Sequence, residues 1–378
     1  MNIQKLVVLT IILVMSLLPL GATAGTSASQ CRFSINEGGH LDTDYGTMFM
    51  AEWWYLNGSA TLEGEHGERR KVRFFVTVAH QESPQLVTTD GSRLSQLLHF
   101  FAFYPDDGPP IFKYDETYIP QAILTNYIAI HTPYVSYAYP DGTTKLHGTG
   151  ESAYHLTQNW GDIGLNVTLH PRVDQTIDRA TAPLNFITYE YAHGDLHGKI
   201  EIDGKSYVIK KAEGYFDHMI PATQMPWPME MHGWTWAEVT NRDYQAVLYA
   251  IRSLKDGYGN YTYKHLTLIN RHTGRVVKQF SGDQVTLAET DWIDEPLYGR
   301  KRPATIVVTA PDISVRFSAD SVAIFNWQNP SNPLPMGFVD FMASQQSGGR
   351  ITYRGETGDG NSFFEYLVSD YGLLQQTP

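Results

Sequence analysis

The sequence is poor in cysteine and in basic residues, and each scarcity excludes a class of protein. Cys31 is the only cysteine among the 378 residues, so no internal disulfide can form and a free thiol is expected. Lys and Arg number 28 against 40 Asp and Glu, which gives a formal net charge of -12. The acidic residues are spread along the chain and no basic stripe is present, which argues against nucleic acid as a partner.

Long apolar runs are also scarce. The sequence contains one, and it lies at the N-terminus. "LVVLTIILVMSLLPLGATA" follows Lys5 and ends in the small residues Ala22, Thr23 and Ala24, a pattern typical of a secretory signal peptide. We expect residues 1–24 to be removed, and the protein to be secreted or periplasmic. An uncleaved membrane anchor is the alternative. With no second such run, the mature chain is expected to contact membranes only transiently.

Helical periodicity is the fourth scarcity, and a period of two replaces it. In "DISVRFSA", Ile313, Val315 and Phe317 share one face of a strand. Asp203-Gly204, between two short alternating runs, is a strong signal for a β-hairpin. Similar turn signals recur along the chain, including one between Gly64 and Gly67. The sequence therefore predicts an all-β fold, and its length suggests two domains.

A stretch rich in proline and methionine marks the expected boundary between these domains. Its prolines at 221, 226 and 228 do not suit a central strand. We expect an N-terminal barrel over residues 25–213, a connector over residues 214–231 and a C-terminal barrel over residues 232–378. Both halves begin with a Trp-rich strand, a weak internal similarity that is consistent with two copies of one barrel type.

The first strand that carries unusual chemistry is "EWWYLNG". Alternation places Glu52 and Trp54 on one face, and Trp53 and Tyr55 on the other. A carboxyl group on an inward face needs a partner or must stay neutral. Two interpretations are open: Glu52 and Trp54 line a ligand cavity, or the Trp residues fill a barrel floor and Glu52 binds backbone amides.

The second unusual stretch begins with "GYFDH" and places Asp217 beside aromatic residues and methionines. Either Asp217 is a reactive acid in an apolar pocket, or the stretch is a plain linker. No nucleophile elbow, phosphate-binding loop, dinucleotide fingerprint or zinc-protease motif is present, so no cofactor is expected. His193 and His197 are interpreted as surface histidines, and no metal site is expected.

Three groups of residues carry a resemblance to a known family. They are Gly39-His40 with Glu52, Trp53, Trp54, Tyr55, Asn57 and Gly58; Tyr215, Asp217 and His218 with Trp234, Trp236 and Arg252; and Gly358, Gly360, Glu365 and Tyr371. Together they resemble the AttH family of secreted lipocalin-like proteins, which includes the carotenoid hydratase called hydroxyneurosporene synthase. The resemblance implies two lipocalin-like antiparallel β-barrels packed together, with space for an apolar ligand in and between them.

The resemblance also implies acid catalysis on an apolar isoprenoid or polyene, by hydration or isomerisation. Asp217 would protonate a double bond, with Tyr215 lining the site and His218 positioning the acid. Residues implied to bind the ligand are Glu52, Trp54, Trp234, Trp236 and Glu365. Aromatic faces attract a developing cation, and methionine side chains adapt to a flexible apolar ligand.

Two alternatives to an enzyme remain open. The first is a carrier that binds a lipid or another hydrophobic ligand without chemistry, because lipocalin-like barrels hold ligands readily. The second is a structural role, in which Asp217 belongs to a seam between two barrels. The oligomeric state is left open.

Overall fold

The protein is built from two large antiparallel β-sheets. The computed structural model describes residues 30–31, 37–46, 49–172, 176–181, 186–223, 231–253, 260–297, 299–319, 321–328 and 339–369. The N-terminal sheet has 12 strands and the C-terminal sheet has 10. None of the helices in these ranges has the length and apolar character needed to cross a membrane. The expected signal peptide, residues 1–24, lies outside the described residues.

Within the described residues, the N-terminal sheet contains the first twelve strands. They are β1 (Gln30–Cys31), β2 (Phe49–Glu63), β3 (Arg69–Val87), β4 (Arg93–Pro105), β5 (Ile111–Pro120), β6 (Val135–Ala138), β7 (Thr144–Gly148), β8 (Tyr154–Trp160), β9 (Ile163–Pro171), β10 (Thr176–Thr181), β11 (Phe186–Ile202) and β12 (Lys205–Thr223). A single helical turn, α1 (Asp42–Tyr45), precedes β2, and a 3-10 segment (Gln121–Asn126) follows β5.

The C-terminal sheet contains the remaining ten strands. They are β13 (Gly233–Thr240), β14 (Tyr244–Arg252), β15 (Tyr261–Asn270), β16 (Arg275–Ser281), β17 (Thr286–Glu295), β18 (Arg300–Ala310), β19 (Ile313–Ser318), β20 (Ser321–Gln328), β21 (Val339–Tyr353) and β22 (Glu356–Ser369). A short 3-10 segment, Gly282–Gln284, precedes β17.

The N-terminal sheet curls around its own core. Its main path runs β5-β4-β3-β2-β12-β11-β9-β8-β7-β6. The Trp54 ring on β2 nevertheless lies 6.2 Å, centroid to centroid, from the Tyr137 ring on β6, the strand at the far end of that path. Leu56, Leu146 and Phe216 belong to the same buried cluster. The inward face of the sheet therefore encloses one apolar interior.

The C-terminal sheet has the order β16-β15-β14-β13-β22-β21-β19-β18-β17, with β20 paired to β21. It also curls, because Arg252 on β14 donates hydrogen bonds to Glu289 on β17 across the interior. Leu248, Ile306 and Phe364 are fully buried within its core. The expected all-β, lipocalin-like architecture is confirmed for both halves.

A third apolar cluster joins the outer faces of the two sheets, and we call it the seam. It includes Tyr55, Phe75 and Tyr215 from the N-terminal sheet, and Trp236 and Phe363 from the C-terminal sheet. The central strand β2 is therefore buried on both faces. This explains why its first half, residues 49–56, is apolar apart from Glu52 and does not alternate cleanly.

The hairpin predicted at Asp203-Gly204 is confirmed. Ile202 pairs with Lys205 across a two-residue loop, and both loop residues have positive φ, 52° for Asp203 and 74° for Gly204. Positive φ at both loop residues is typical of the two-residue hairpin turn whose twist matches that of the flanking strands. Glycine adopts a positive φ without a steric penalty. The loop between β2 and β3 likewise contains the predicted Gly64 and Gly67.

The connector expected over residues 214–231 is wrong in its first part. Residues 214–223 are the C-terminal half of β12, which pairs with β2 and β11. Even Pro221 lies in this strand, opposite Phe186 of β11. The strand retains this proline because β2 and β11 pair with β12 on both sides. Residues 224–230, with the other two prolines, lie outside the described residues.

Candidate functional site

The candidate residues of β12 lie on two opposite faces of the strand, one towards the seam and one towards the core of the N-terminal barrel. Tyr215 and Met219 belong to the seam, whereas Phe216 belongs to the core of the N-terminal barrel. His218 also faces that barrel, where its Nε2 lies 2.6 Å from Glu52. Because successive side chains of a strand point to opposite faces, His218 faces away from Asp217. The expected role of His218 in positioning Asp217 is therefore wrong.

Asp217 lies in the seam and is 4 % exposed. The Tyr215 hydroxyl donates a hydrogen bond of 2.9 Å to its Oδ2 atom. These two residues are two apart in one strand, so their side chains leave the same face side by side. Tyr215 itself is fully buried, and its ring lies 5.2 Å from the ring of Trp236. The carboxyl group of Asp217 is thus held at the edge of an aromatic enclosure.

Tyr55 is at the centre of this enclosure. Its ring lies 5.2 Å from Trp236 and 6.1 Å from Tyr215, measured between centroids. Next to it along β2, on the same face of the strand, Trp53 stacks on Trp234 at 5.7 Å. The two Trp residues of β13 that were expected to bind a ligand therefore both face the seam. Their partners come from the "EWWY" strand.

Two further carboxyl groups occupy the seam with unusual protonation behaviour. Burial raises the pKa of Glu365 to about 7, against opposing hydrogen bonds from Trp234 and Tyr55. Burial likewise raises the pKa of Glu238 to about 7, and the Gln245 side-chain amide donates a 2.6 Å hydrogen bond to it. Burial, followed by the charge of Glu365, raises the pKa of Tyr55 well above its usual range. The seam therefore contains carboxyl groups that hold a proton near neutral pH.

A cleft between the two sheets leads towards this enclosure. It has a volume of about 770 Å³ and a polar lining from both sheets, which includes Lys71, Arg73, Glu213, Arg271 and Asn361. A recess of about 30 Å³, roughly the share of one water molecule, adjoins it and reaches Glu238 and Phe363. The Phe363 ring lies 6.2 Å from Trp236.

Glu52 lies in a separate cluster inside the N-terminal barrel. Its Oε1 is 2.8 Å from His40 Nδ1 and 2.6 Å from His218 Nε2. Its Oε2 is 2.7 Å from His80 Nε2 and accepts a 2.7 Å hydrogen bond from the His40 backbone amide. Burial alone would raise the pKa of Glu52, but the hydrogen bonds from the three histidines outweigh burial and hold it well below its usual range.

The alternation expected for "EWWY" is present, because Trp54 shares the barrel face with Glu52 and stacks on His218 at 5.0 Å. These two residues do not, however, share one site with Asp217, because they lie on the opposite side of the sheet. The interpretation that Glu52 binds backbone amides is correct for one amide, that of His40. The dominant partners are three histidine rings.

Arg252, which was named only as one of the residues that resemble the AttH family, is fully buried inside the C-terminal barrel. It forms an ion pair of 2.6 Å with Glu289, and its guanidinium lies 4.4 Å from the Tyr366 ring centroid. This pair lies inside the second barrel, whereas Asp217 lies in the seam. We interpret it as a structural element of the second barrel.

Other residues named from the sequence lie outside the two clusters, and His197 is on the surface as expected. Gly358 and Gly360 lie within β22, and the turn before this strand is at Arg354 and Gly355. His197 is exposed, and its ring lies 5.7 Å from that of His170. Tyr371 and the side chain of His193 lie outside the described residues.

Sequence reasoning missed Glu238, Tyr55 as a site residue, and His80. Glu238 had a usable signal, because it follows Trp234 and Trp236 at steps of two along one strand and so shares their face. His80 lies directly opposite Glu52 in the β2–β3 hairpin. That pairing depends on the register of the two strands, which the length of the hairpin loop sets.

Comparisons with known proteins agree on the fold. The fold is similar to that of a protein assigned as AttH from Nitrosomonas europaea, with a TM-score of 0.61 and 15% identity over 91% of this chain and 98% of that one. It is similar to CghA in a structure with Sch210972, with a TM-score of 0.58 and 11% identity over 91% and 95% of the two chains. It is also similar to kievitone hydratase from Nectria haematococca, with a TM-score of 0.56 and 10% identity over 93% and 95%.

No protein-family model matches the sequence, and the search of curated proteins finds no match. The resemblance to AttH proteins is confirmed at the level of the fold by the first of these structures. Identities of this size show a shared fold and do not assign an activity.

Proposed function

We propose that this protein binds an apolar small molecule where the cleft between the two sheets reaches the seam, and moves a proton to and from it, in a hydration or an isomerisation of a polyene. One observation carries the proposal: Glu365, 7 % exposed, has its pKa raised to about 7 by burial and lies within the same aromatic seam as Asp217. A carboxyl group that keeps its proton near neutral pH can act as a general acid. The likeness of the fold to kievitone hydratase supports hydration as the class of reaction.

The two carboxyl groups suit different steps of this chemistry. Glu365 donates its proton to one carbon of a double bond, and the faces of Tyr55 and Trp236 stabilise the resulting carbocation. In hydration, water adds to the cationic carbon and its excess proton passes to Asp217. In isomerisation, Asp217 instead removes a proton from a neighbouring carbon. Transfer of that proton back to Glu365 through solvent completes the cycle.

This assignment changes the expected role of Asp217. The sequence suggested that Asp217 donates the proton, but the Tyr215 hydroxyl donates a hydrogen bond to it. Glu365 also accepts hydrogen bonds, from Trp234 and Tyr55, but burial raises its pKa to about 7, which makes it the better proton donor of the two. We therefore assign the donor role to Glu365 and the acceptor role to Asp217.

Deuterium incorporation tests the chemistry without the natural substrate being known in advance. The protein is incubated in D₂O with acyclic carotenoids, and carbon-bound deuterium is measured by mass spectrometry. We expect Glu365→Gln and Asp217→Asn each to lower the rate by about a hundredfold or more, in the range of general acid–base catalysis. Glu356→Gln serves as the control, because Glu356 is an exposed carboxylate on the same strand as Glu365.

The carrier is the second candidate, and the same enclosure supports it. A carrier would retain an apolar compound through purification, detectable by mass spectrometry, and would incorporate no deuterium with any of the carotenoids. Unchanged rates in both variants would likewise contradict the catalytic roles. If Asp217→Asn instead lowers stability and abolishes ligand binding together, Asp217 is a structural residue of the seam.

We also propose that the protein acts outside the cytoplasm after removal of residues 1–24. The apolar run and the small residues Ala22, Thr23 and Ala24 at its end support this. N-terminal sequencing of the exported protein tests it, and an exported chain that still begins at Met1 would contradict it.

A further inference from the structure

We propose that His40, Glu52 and His218 bind a divalent first-row transition metal ion, such as Zn²⁺, inside the N-terminal barrel. This site is separate from the proposed chemistry, because it lies on the opposite side of β12 from Asp217. The inference therefore stands or falls independently of the proposed function.

The three side chains present their ligand atoms to one point. His40 Nδ1, Glu52 Oε1 and His218 Nε2 all lie within 4.8 Å of one another. Each of these side chains is at most 4 % exposed. They come from the segment before α1, from β2 and from β12, so the tertiary structure alone brings them together.

The donor atoms and their spacing suit a small divalent ion. Two imidazoles and one carboxylate are ligands that zinc and iron(II) accept in proteins. Tetrahedral ligands about 2.0–2.1 Å from a metal are separated by about 3.3 Å. Glu52 Oε1 lies 2.8 Å and 2.6 Å from the two histidine nitrogens. Small rotations that lengthen these two distances by about 0.5–0.7 Å would admit the ion.

The fourth member of the cluster has the position of an outer-shell residue. His80 contacts Glu52 through Oε2, the oxygen that is not aimed at the other two rings. Metal-binding carboxylates are commonly held in this way by a second hydrogen bond that fixes their orientation. His80 and Glu52 are paired directly across β2 and β3, which makes the contact rigid.

The local charge also favours a cation. Glu52 and Glu82 are both fully buried in this part of the barrel. Among the described residues, the ion pairs of Glu52 are all to histidines. The Asp42 backbone amide and the Ser95 hydroxyl, both neutral donors, bind Glu82. A buried carboxylate is costly unless a positive charge compensates it, and a divalent ion on Glu52 supplies one.

The metal would fasten the N-terminal segment to the barrel. Residues of this segment already contact the sheet, since the Trp54 indole donates a 2.9 Å hydrogen bond to the Glu37 carbonyl. A metal bound by His40, Glu52 and His218 would cross-link that segment to two central strands. Its expected role is therefore stability of the first barrel.

A second group of histidines must be controlled in any test. His147 and His155 are exposed, lie opposite each other on β7 and β8, and have ring centroids 4.9 Å apart. Such a surface pair can bind zinc without forming a dedicated site. The double variant H147A/H155A removes this pair and leaves the buried cluster intact, so it is the matched control.

The experiment uses the full mature chain purified without a polyhistidine tag. Metal content is measured by mass spectrometry, and the ion is then removed with a chelator and replaced by Co²⁺. We expect about one metal ion per chain, visible-region absorption bands of four- or five-coordinate Co²⁺, and a melting temperature that falls on chelation. The control H147A/H155A should give the same three results.

The variants assign the ligands. His40→Ala and His218→Ala should each lower Zn²⁺ affinity by at least about a hundredfold, because each removes a direct ligand. His80→Ala should bind the ion about 10–100-fold more weakly, as outer-shell substitutions do. If the direct-ligand variants fail to fold, the wild-type stoichiometry, the Co²⁺ spectrum and His80→Ala still decide the question.

Two outcomes would overturn the proposal. A folded wild-type chain with far less than one equivalent of metal and no Co²⁺ bands would show that the cluster is a hydrogen-bonded network alone. Metal that disappears only in H147A/H155A would place it on the surface histidines.

Discussion

Glu365→Gln should make the protein more stable at alkaline pH, although it removes the ionisable carboxyl group of the proposed site. Burial raises the pKa of the Glu365 carboxyl group from its usual value of 4.5 to about 7. Below pH 4.5 the group is protonated in both the folded and the unfolded chain. Between pH 4.5 and 7 the unfolded chain releases this proton first, so the free energy of unfolding falls. Above about pH 7 the loss is complete.

The magnitude follows from the size of the pKa difference. At about 1.4 kcal/mol per pKa unit, a rise from 4.5 to about 7 corresponds to about 3 kcal/mol of stability. Glutamine has the shape of the protonated acid and never ionises. The variant should therefore match the wild type near pH 4 and exceed it by up to about 3 kcal/mol near pH 8.

Urea denaturation at several pH values, followed by fluorescence of the Trp residues, measures this difference. Glu356→Gln on the same strand is the control, and its unfolding free energy should stay within about 0.5 kcal/mol of the wild type at every pH, as for most surface changes. If the difference between Glu365→Gln and the wild type is the same at pH 4 and pH 8, the pKa of Glu365 is the same in the folded and the unfolded chain. The assignment of Glu365 as proton donor would then be refuted.

Other substitutions test the packing and the proposed site. Phe216→Ala should cost about 3–5 kcal/mol in urea denaturation, because the ring is fully buried and stacks on Tyr154 at 3.8 Å; a cost below about 1 kcal/mol would contradict the described core. Arg252→Ala should cost about 3–5 kcal/mol because it leaves the buried Glu289 carboxylate without its cation, with only the Thr235 and Tyr261 hydroxyls as donors, and replacing both residues with Met and Leu should restore most of that loss. Tyr215→Phe removes the hydroxyl that binds the seam aspartate, so deuterium incorporation should slow while binding of an apolar fluorescent probe stays unchanged; equal rates would exclude a role for that hydroxyl.

Much of the fold could be predicted from local sequence. The period-two patterns and turn residues indicated an all-β chain in two parts, because side-chain direction in a strand depends only on position along it. The two-residue turn at Asp203-Gly204 was predictable for the same reason, since both positions need positive φ. The faces of Glu52 and Trp54 were also predicted correctly from alternation alone.

Pairing between distant strands was not predictable. Glu52 meets His80 because the loop between β2 and β3 sets the register of that hairpin, and a slip of one residue would send the histidine to the other face. It meets His218 because β12, more than 150 positions along the chain, lies beside β2. No local pattern contains that information.

The division of the candidate residues between two sites was likewise a result of the tertiary structure. By itself, the sequence determined that Asp217 and His218 are neighbours and that both suit chemistry. The tertiary structure decided that β12 is a central strand with a barrel on one side and the seam on the other. Because adjacent side chains of a strand point in opposite directions, Asp217 joins Glu365 and the aromatic residues of the seam, and His218 joins Glu52 in the barrel.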